Sequence, residues 1–89
     1  MIEFRTYDRA PVAFDDADSV YVLHYGRIIG SMNPTADGRS ARVYSGAGIN
    51  SHGVGEVYAT HGYTGRTQCI YRAAANMILA DRGSRERIV

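Results

Sequence analysis

The sequence predicts an α+β fold: an antiparallel four- to five-stranded meander sheet with one C-terminal amphipathic helix packed on one face. Short runs rich in β-branched and aromatic residues recur between Gly-, Pro- and Asp-containing breaks, the pattern of successive strands. The period changes once, beyond residue 64, from alternation to the 3.6-residue repeat of a helix. A chain of 89 residues, 45% hydrophobic and 21% charged, supports a single core, so residues 1–89 are read as one domain with 84–89 as a frayed tail.

Ile2, Phe4 and Thr6 alternate with Glu3, Arg5 and Tyr7, as in a half-buried strand. Residues 9–18, with a proline and three aspartates, read as a loop. Ser19 to Tyr25, "SVYVLHY", is the clearest strand. Gly26-Arg27 then stands between two apolar runs and suits a two-residue type II′ turn, with Gly supplying the positive φ. That turn sets Tyr25 opposite Ile28, Leu23 opposite Gly30 and Tyr21 opposite Met32. "NPTADG" is a second turn with Asp37-Gly38 at its tip, which places Met32 opposite Val43 as "RSARVYS" returns. Residues 45–55 hold four glycines and read as a flexible connection, followed by "EVYATH" as a last strand. Ile70, Ala73, Ala74, Met77 and Ile78 form the stripe of a helix that starts at Thr64 or Thr67 and stops at Arg82-Gly83.

Composition excludes several function classes. A net charge of +1 gives no general attraction to nucleic acid or acidic membranes. All ten basic residues are arginine, a mark of GC-rich coding that also equips any basic surface for bidentate pairing. One cysteine, Cys69, allows no internal disulfide and no cysteine-rich zinc site. The N-terminus lacks the apolar core of a signal peptide, and no run reaches the roughly 20 apolar residues of a membrane span. A cytoplasmic location is expected.

The motifs that suggest chemistry fail on spacing or context. "HGYTGRT" at 61–67 ends like a phosphate-binding loop, but Arg66 replaces the lysine and Thr60 the first glycine, so it reads as a strand-to-helix turn. "SGAGINS" has Ser51 where a dinucleotide loop needs its third glycine, and it precedes a strand. The aspartates at 15, 16 and 18 open like a calcium loop but lack its glycine and closing Glu. His24, His52 and His61 show no metal-ligand spacing. Cys69, with His61 as a potential base, is read as a buried thiol rather than a nucleophile. No catalytic residue, cofactor or metal is expected.

The sheet faces carry more information. In the type II′ register, Tyr21, Leu23, Tyr25, Ile28 and Met32, with Ala41 and Val43, face the helix. The opposite face then holds Val20, Val22, His24 and Ile29 beside Arg42 and Tyr44, unless residues 1–18 fold over it. Branched aliphatics mixed with Tyr and Arg have the composition of a recognition surface. The expectation is a small non-enzymatic protein that binds another protein through those six residues, as a self-dimer or on a host complex. Size, the absence of catalytic motifs and the coding bias suggest a phage or mobile-element inhibitor of the anti-CRISPR type. The alternative is nucleic-acid binding, with Tyr21, Tyr25, Tyr44 and Tyr58 stacking bases and Arg39, Arg42, Arg66 and Arg72 contacting phosphates.

Overall fold

The computed structural model describes residues 2–6, 19–35, 39–58 and 68–84. It contains a five-stranded antiparallel sheet in the order of the chain, followed by one helix, an α+β architecture. The strands are β1 (Ile2–Arg5), β2 (Val20–His24), β3 (Arg27–Pro34), β4 (Ser40–Ser45) and β5 (His52–Tyr58), and the helix is α1 (Gln68–Asp81). A short 3₁₀ turn at Gly48–Asn50 joins β4 to β5. Strand β5 thus begins inside the stretch expected to be a flexible connection, with Gly53 and Gly55 as strand residues. The expected turns at Asp37-Gly38 and at 61–67 lie outside the described residues.

The turn between β2 and β3 differs from the expected one. Its central residues are Tyr25 and Gly26, at φ 50° and 80°, with His24 paired to Arg27. Two positive φ values make this a type I′ geometry, whose twist matches the flanking strands. The register moves with the turn: Leu23 pairs with Ile28, then, past a bulge, Val22 with Gly30, Tyr21 with Ser31 and Val20 with Met32. A slip of one residue sends every side chain of a strand to the other face. Val20 and Val22 therefore point towards the helix, and Tyr21 and Leu23 away from it. Ile29, the extra residue at the bulge, also joins the core. The β3–β4 register is as expected, with Met32 opposite Val43.

The core lies between the sheet and one face of α1. From the sheet come Val20, Val22, Ile29, Met32, Ala41, Val43 and Val57, all buried. From the helix come Ile70, Tyr71, Ala74, Ala75, Ile78 and Leu79, while Ala73 and Met77 lie only partly buried at its flank. The buried stripe is thus rotated by about one position towards Tyr71 and Leu79. The helix sits over β3, β4 and β5, and the Tyr71 ring reaches β1 to meet Phe4 edge-on, with centroids 5.2 Å apart. Two small residues allow this close approach. Ala74 is fully buried, and a Cβ at Gly30 would lie 2.6 Å from Ile78 Cδ1 and against the Tyr44 carbonyl. The helix ends at Gly83, with φ 75°. Its N–H donates to Ala80 O and that of Ser84 to Leu79 O, the paired bonds of a Schellman motif.

Candidate functional site

The structure corrects the expected composition of the uncovered face. Val20, Val22 and Ile29 are 1%, 0% and 3% exposed and belong to the core, so they present nothing to a partner. His24 alternates with Val20 and Val22 and lies on their side, near the end of the sheet. Of the six expected residues, Arg42 and Tyr44 occupy the open face. The physical reason is the one-residue slip at the Tyr25-Gly26 turn.

The face opposite α1 is built by alternation along all five strands. Glu3 and Arg5 come from β1, Tyr21 and Leu23 from β2, Ser31 and Asn33 from β3, Arg42 and Tyr44 from β4, and Glu56 and Tyr58 from β5. Strand β1 pairs beside β2 at the sheet edge and so does not fold over this face; residues 7–18 lie outside the described ones. Gly53 lies across the ladder from Tyr44, and a Cβ there would stand at ordinary contact distance from the Tyr44 ring. Tyr58 is 66% exposed.

The charges of the face are paired on the face itself. Arg5 binds Glu3, and Arg42 Nε lies 3.6 Å from Glu56 Oε1. The Tyr58 hydroxyl donates to Glu56 Oε2 at 2.6 Å. That bond, with the negative charge of Glu56, holds the phenol pKa above its usual value, because losing the proton would set two anions together. The result is a charge-balanced surface in which Tyr and Arg dominate. Glu56 escaped the sequence reading and Tyr58 entered it only as a base-stacking tyrosine, although Val57 between them, alternating with both, marks them as a shared outer face.

A second feature lies at the hairpin end of the sheet, on the helix side, beyond the last turn of α1. A hollow of about 440 Å³ is lined there by His24, Tyr25, Arg27, Asn50 and Arg82, with Ile29 and Gly46 among its other walls. Among the described residues no carboxylate lines it. Asp81, the acidic residue closest in sequence to Arg82, is engaged by His52, whose Nε2 lies 3.1 Å from Oδ2. Of the hollow's residues, His24 and Tyr25 were singled out from sequence, for other roles, and Arg27, Asn50 and Arg82 were not assigned to a site, because their convergence depends on tertiary placement.

Among the described residues, no group of three or more His, Cys, Asp or Glu side chains could hold a metal ion. No helix of the described residues is long and apolar enough to cross a membrane. His61 and the Cys69 side chain lie outside the described set. Comparisons with family models, curated proteins and solved structures give no match.

Proposed function

We propose that this chain is a non-enzymatic binding protein that acts by contact with another protein through the open sheet face. The observation that supports this is the charge balance of a Tyr- and Arg-bearing face that α1 leaves uncovered. Tyr and Arg are the side chains that most often dominate protein–protein binding energy. A polyanion would have to draw Arg5 and Arg42 away from Glu3 and Glu56, and would meet those carboxylates on approach. This argues for a protein partner over nucleic acid. Self-association is also disfavoured, since homodimer interfaces are more apolar than this surface. The occupant is then a separately folded protein. An inhibitor of a host system, of the anti-CRISPR kind carried by phages and mobile elements, is the setting that size and coding bias suggest.

The test is quantitative capture from host lysate by the wild type and by Arg42→Ala, Tyr44→Ala and Arg72→Ala variants, identified by mass spectrometry. A single species lost with the first two variants and retained with Arg72→Ala, on the helix, is the expected result. Recovery of nucleic acid, or equal capture by all variants, would contradict the reading.

A further inference from the structure

The hollow at the hairpin end holds a backbone anomaly. Among the described residues Tyr25 alone, apart from glycines, has a positive φ. It occupies the first central position of a type I′ turn, where Asn, Asp or Gly is preferred because a Cβ is disfavoured there. Its ring gains little from burial in return, being 72% exposed. The ring is instead set against His24, with centroids 4.6 Å apart and planes tilted by 49°, and both side chains line the hollow. A residue kept in a disfavoured conformation with its side chain presented to solvent points to a role outside folding.

The rest of the lining agrees in its chemistry. Arg27 pairs with His24 across the ladder and Arg82 follows the last helical residue, so two elements distant in sequence bring two arginines to the lining of one hollow. Among the described residues neither guanidinium has an ion-pair partner, in contrast to Arg5 and Arg42 on the open face. The C-terminal end of α1 contributes about half an elementary negative charge nearby, which two full positive charges outweigh. Guanidinium groups bind phosphate by parallel N–H···O bonds. Asn50 adds an amide that can donate or accept. A hollow of 440 Å³ falls within the range of small-ligand sites.

We propose that this hollow binds a small phosphorylated ligand carrying a flat ring, of mononucleotide size, with Arg27 and Arg82 holding the phosphate and Tyr25 supplying a face for the ring. This site is separate from the open sheet face and independent of its reading. Both could act in one protein, since they lie on opposite sides of the sheet.

The test is titration by NMR and calorimetry with adenosine monophosphate, adenosine and inorganic phosphate, at low and moderate salt. The monophosphate is expected to bind saturably, more tightly than either fragment, and to shift amide signals at 24–27 and 46–50. Arg27→Gln and Arg82→Gln should each weaken it roughly tenfold, as expected for a lost charge-assisted bond. Tyr25→Asn, which suits the turn and keeps the fold, should weaken the monophosphate while leaving inorganic phosphate unchanged. Arg72→Gln is the control and should bind as the wild type does. Absence of saturable binding, equal binding by the Arg27→Gln/Arg82→Gln double variant, or adenosine binding as tightly as its monophosphate would overturn the proposal. Inorganic phosphate binding as tightly as the monophosphate would overturn the assignment of Tyr25.

Discussion

The two faces of the sheet are made from alternate residues of the same strands, yet, the buried Leu23 of the open face apart, they have opposite composition. On the helix side, Val20, Val22, Met32, Val43 and Val57 are apolar and closed to water. On the open side, Glu3, Arg5, Arg42, Tyr44, Glu56 and Tyr58 are polar or amphipathic, and Arg5 pairs with Glu3 while Arg42 and Tyr58 both engage Glu56. What separates the two sets in β2 is a single residue of register, fixed by a turn. The comparison teaches that strand content and face assignment are different problems. The first depends on residue types, the second on which two residues occupy one turn.

The largest expected effect comes from moving a charge to the closed face. Val22→Asp would bury an unpaired carboxylate between the sheet and α1, at a cost of several kcal/mol. For a domain with about 5 kcal/mol in hand this should abolish the folded state, read as loss of the cooperative thermal transition. A normally folded Val22→Asp protein would mean that β2 is turned the other way.

A smaller loss is expected at Gly30, where the closed face leaves no room for a methyl group. Gly30→Ala would press on Ile78 and on the Tyr44 carbonyl, and the carbonyl belongs to a paired strand that yields poorly. Overpacking of this kind costs about 1–3 kcal/mol, measurable by denaturant titration. An unchanged midpoint would show that the helix packs less closely than described.

The turn that separates the faces should respond in the opposite direction. Tyr25→Asn would place a residue tolerant of left-handed geometry where Tyr now stands, and should stabilise the protein by about 1 kcal/mol. For a domain of this size that raises Tm by about 4–8 °C. A lowered Tm would show that the Tyr25 ring contributes more to the fold than its exposure implies.

On the open face the effect on stability should be smallest. Arg42→Ala and Tyr44→Ala should change it by no more than about 0.5 kcal/mol, while binding falls by roughly 2 kcal/mol if either is a hot spot. Glu56→Gln removes the negative charge that raises the Tyr58 phenol pKa, so ultraviolet titration should show Tyr58 ionising at lower pH than in the wild type.

Much of the fold was legible in the residues, and the reasons are local. Strands β1 to β4 begin and end within two residues of their apolar runs, and Gly83 marks the helix end because only a left-handed residue closes the Schellman motif there. Met32 fell opposite Val43 as the Asp37-Gly38 tip implies. The site was less legible. Gly26 was read as the first turn residue, since type II′ needs Gly there, whereas it is the second residue of a type I′ turn whose first position Tyr25 fills against its own preference. A bulge then added Ile29 to the core. Both features depend on tertiary packing overriding local propensity, which no pattern of residue types reports. Arg42 and Tyr44 fall on the expected face because the β3–β4 register is the expected one, whereas the β2–β3 register is shifted by one residue.

The assignment of the two faces is the central claim, and peptide-mapped thiol labelling of Val22→Cys and Arg42→Cys tests it most directly. Arg42, with a side chain 72% exposed, should give a cysteine that reacts at close to the free-thiol rate. Val22, fully buried under α1, should give one that reacts only through unfolding, orders of magnitude more slowly in native buffer. Labelling of Val22→Cys as fast as Arg42→Cys, in a protein that still melts cooperatively, would contradict the register and the binding face inferred from it.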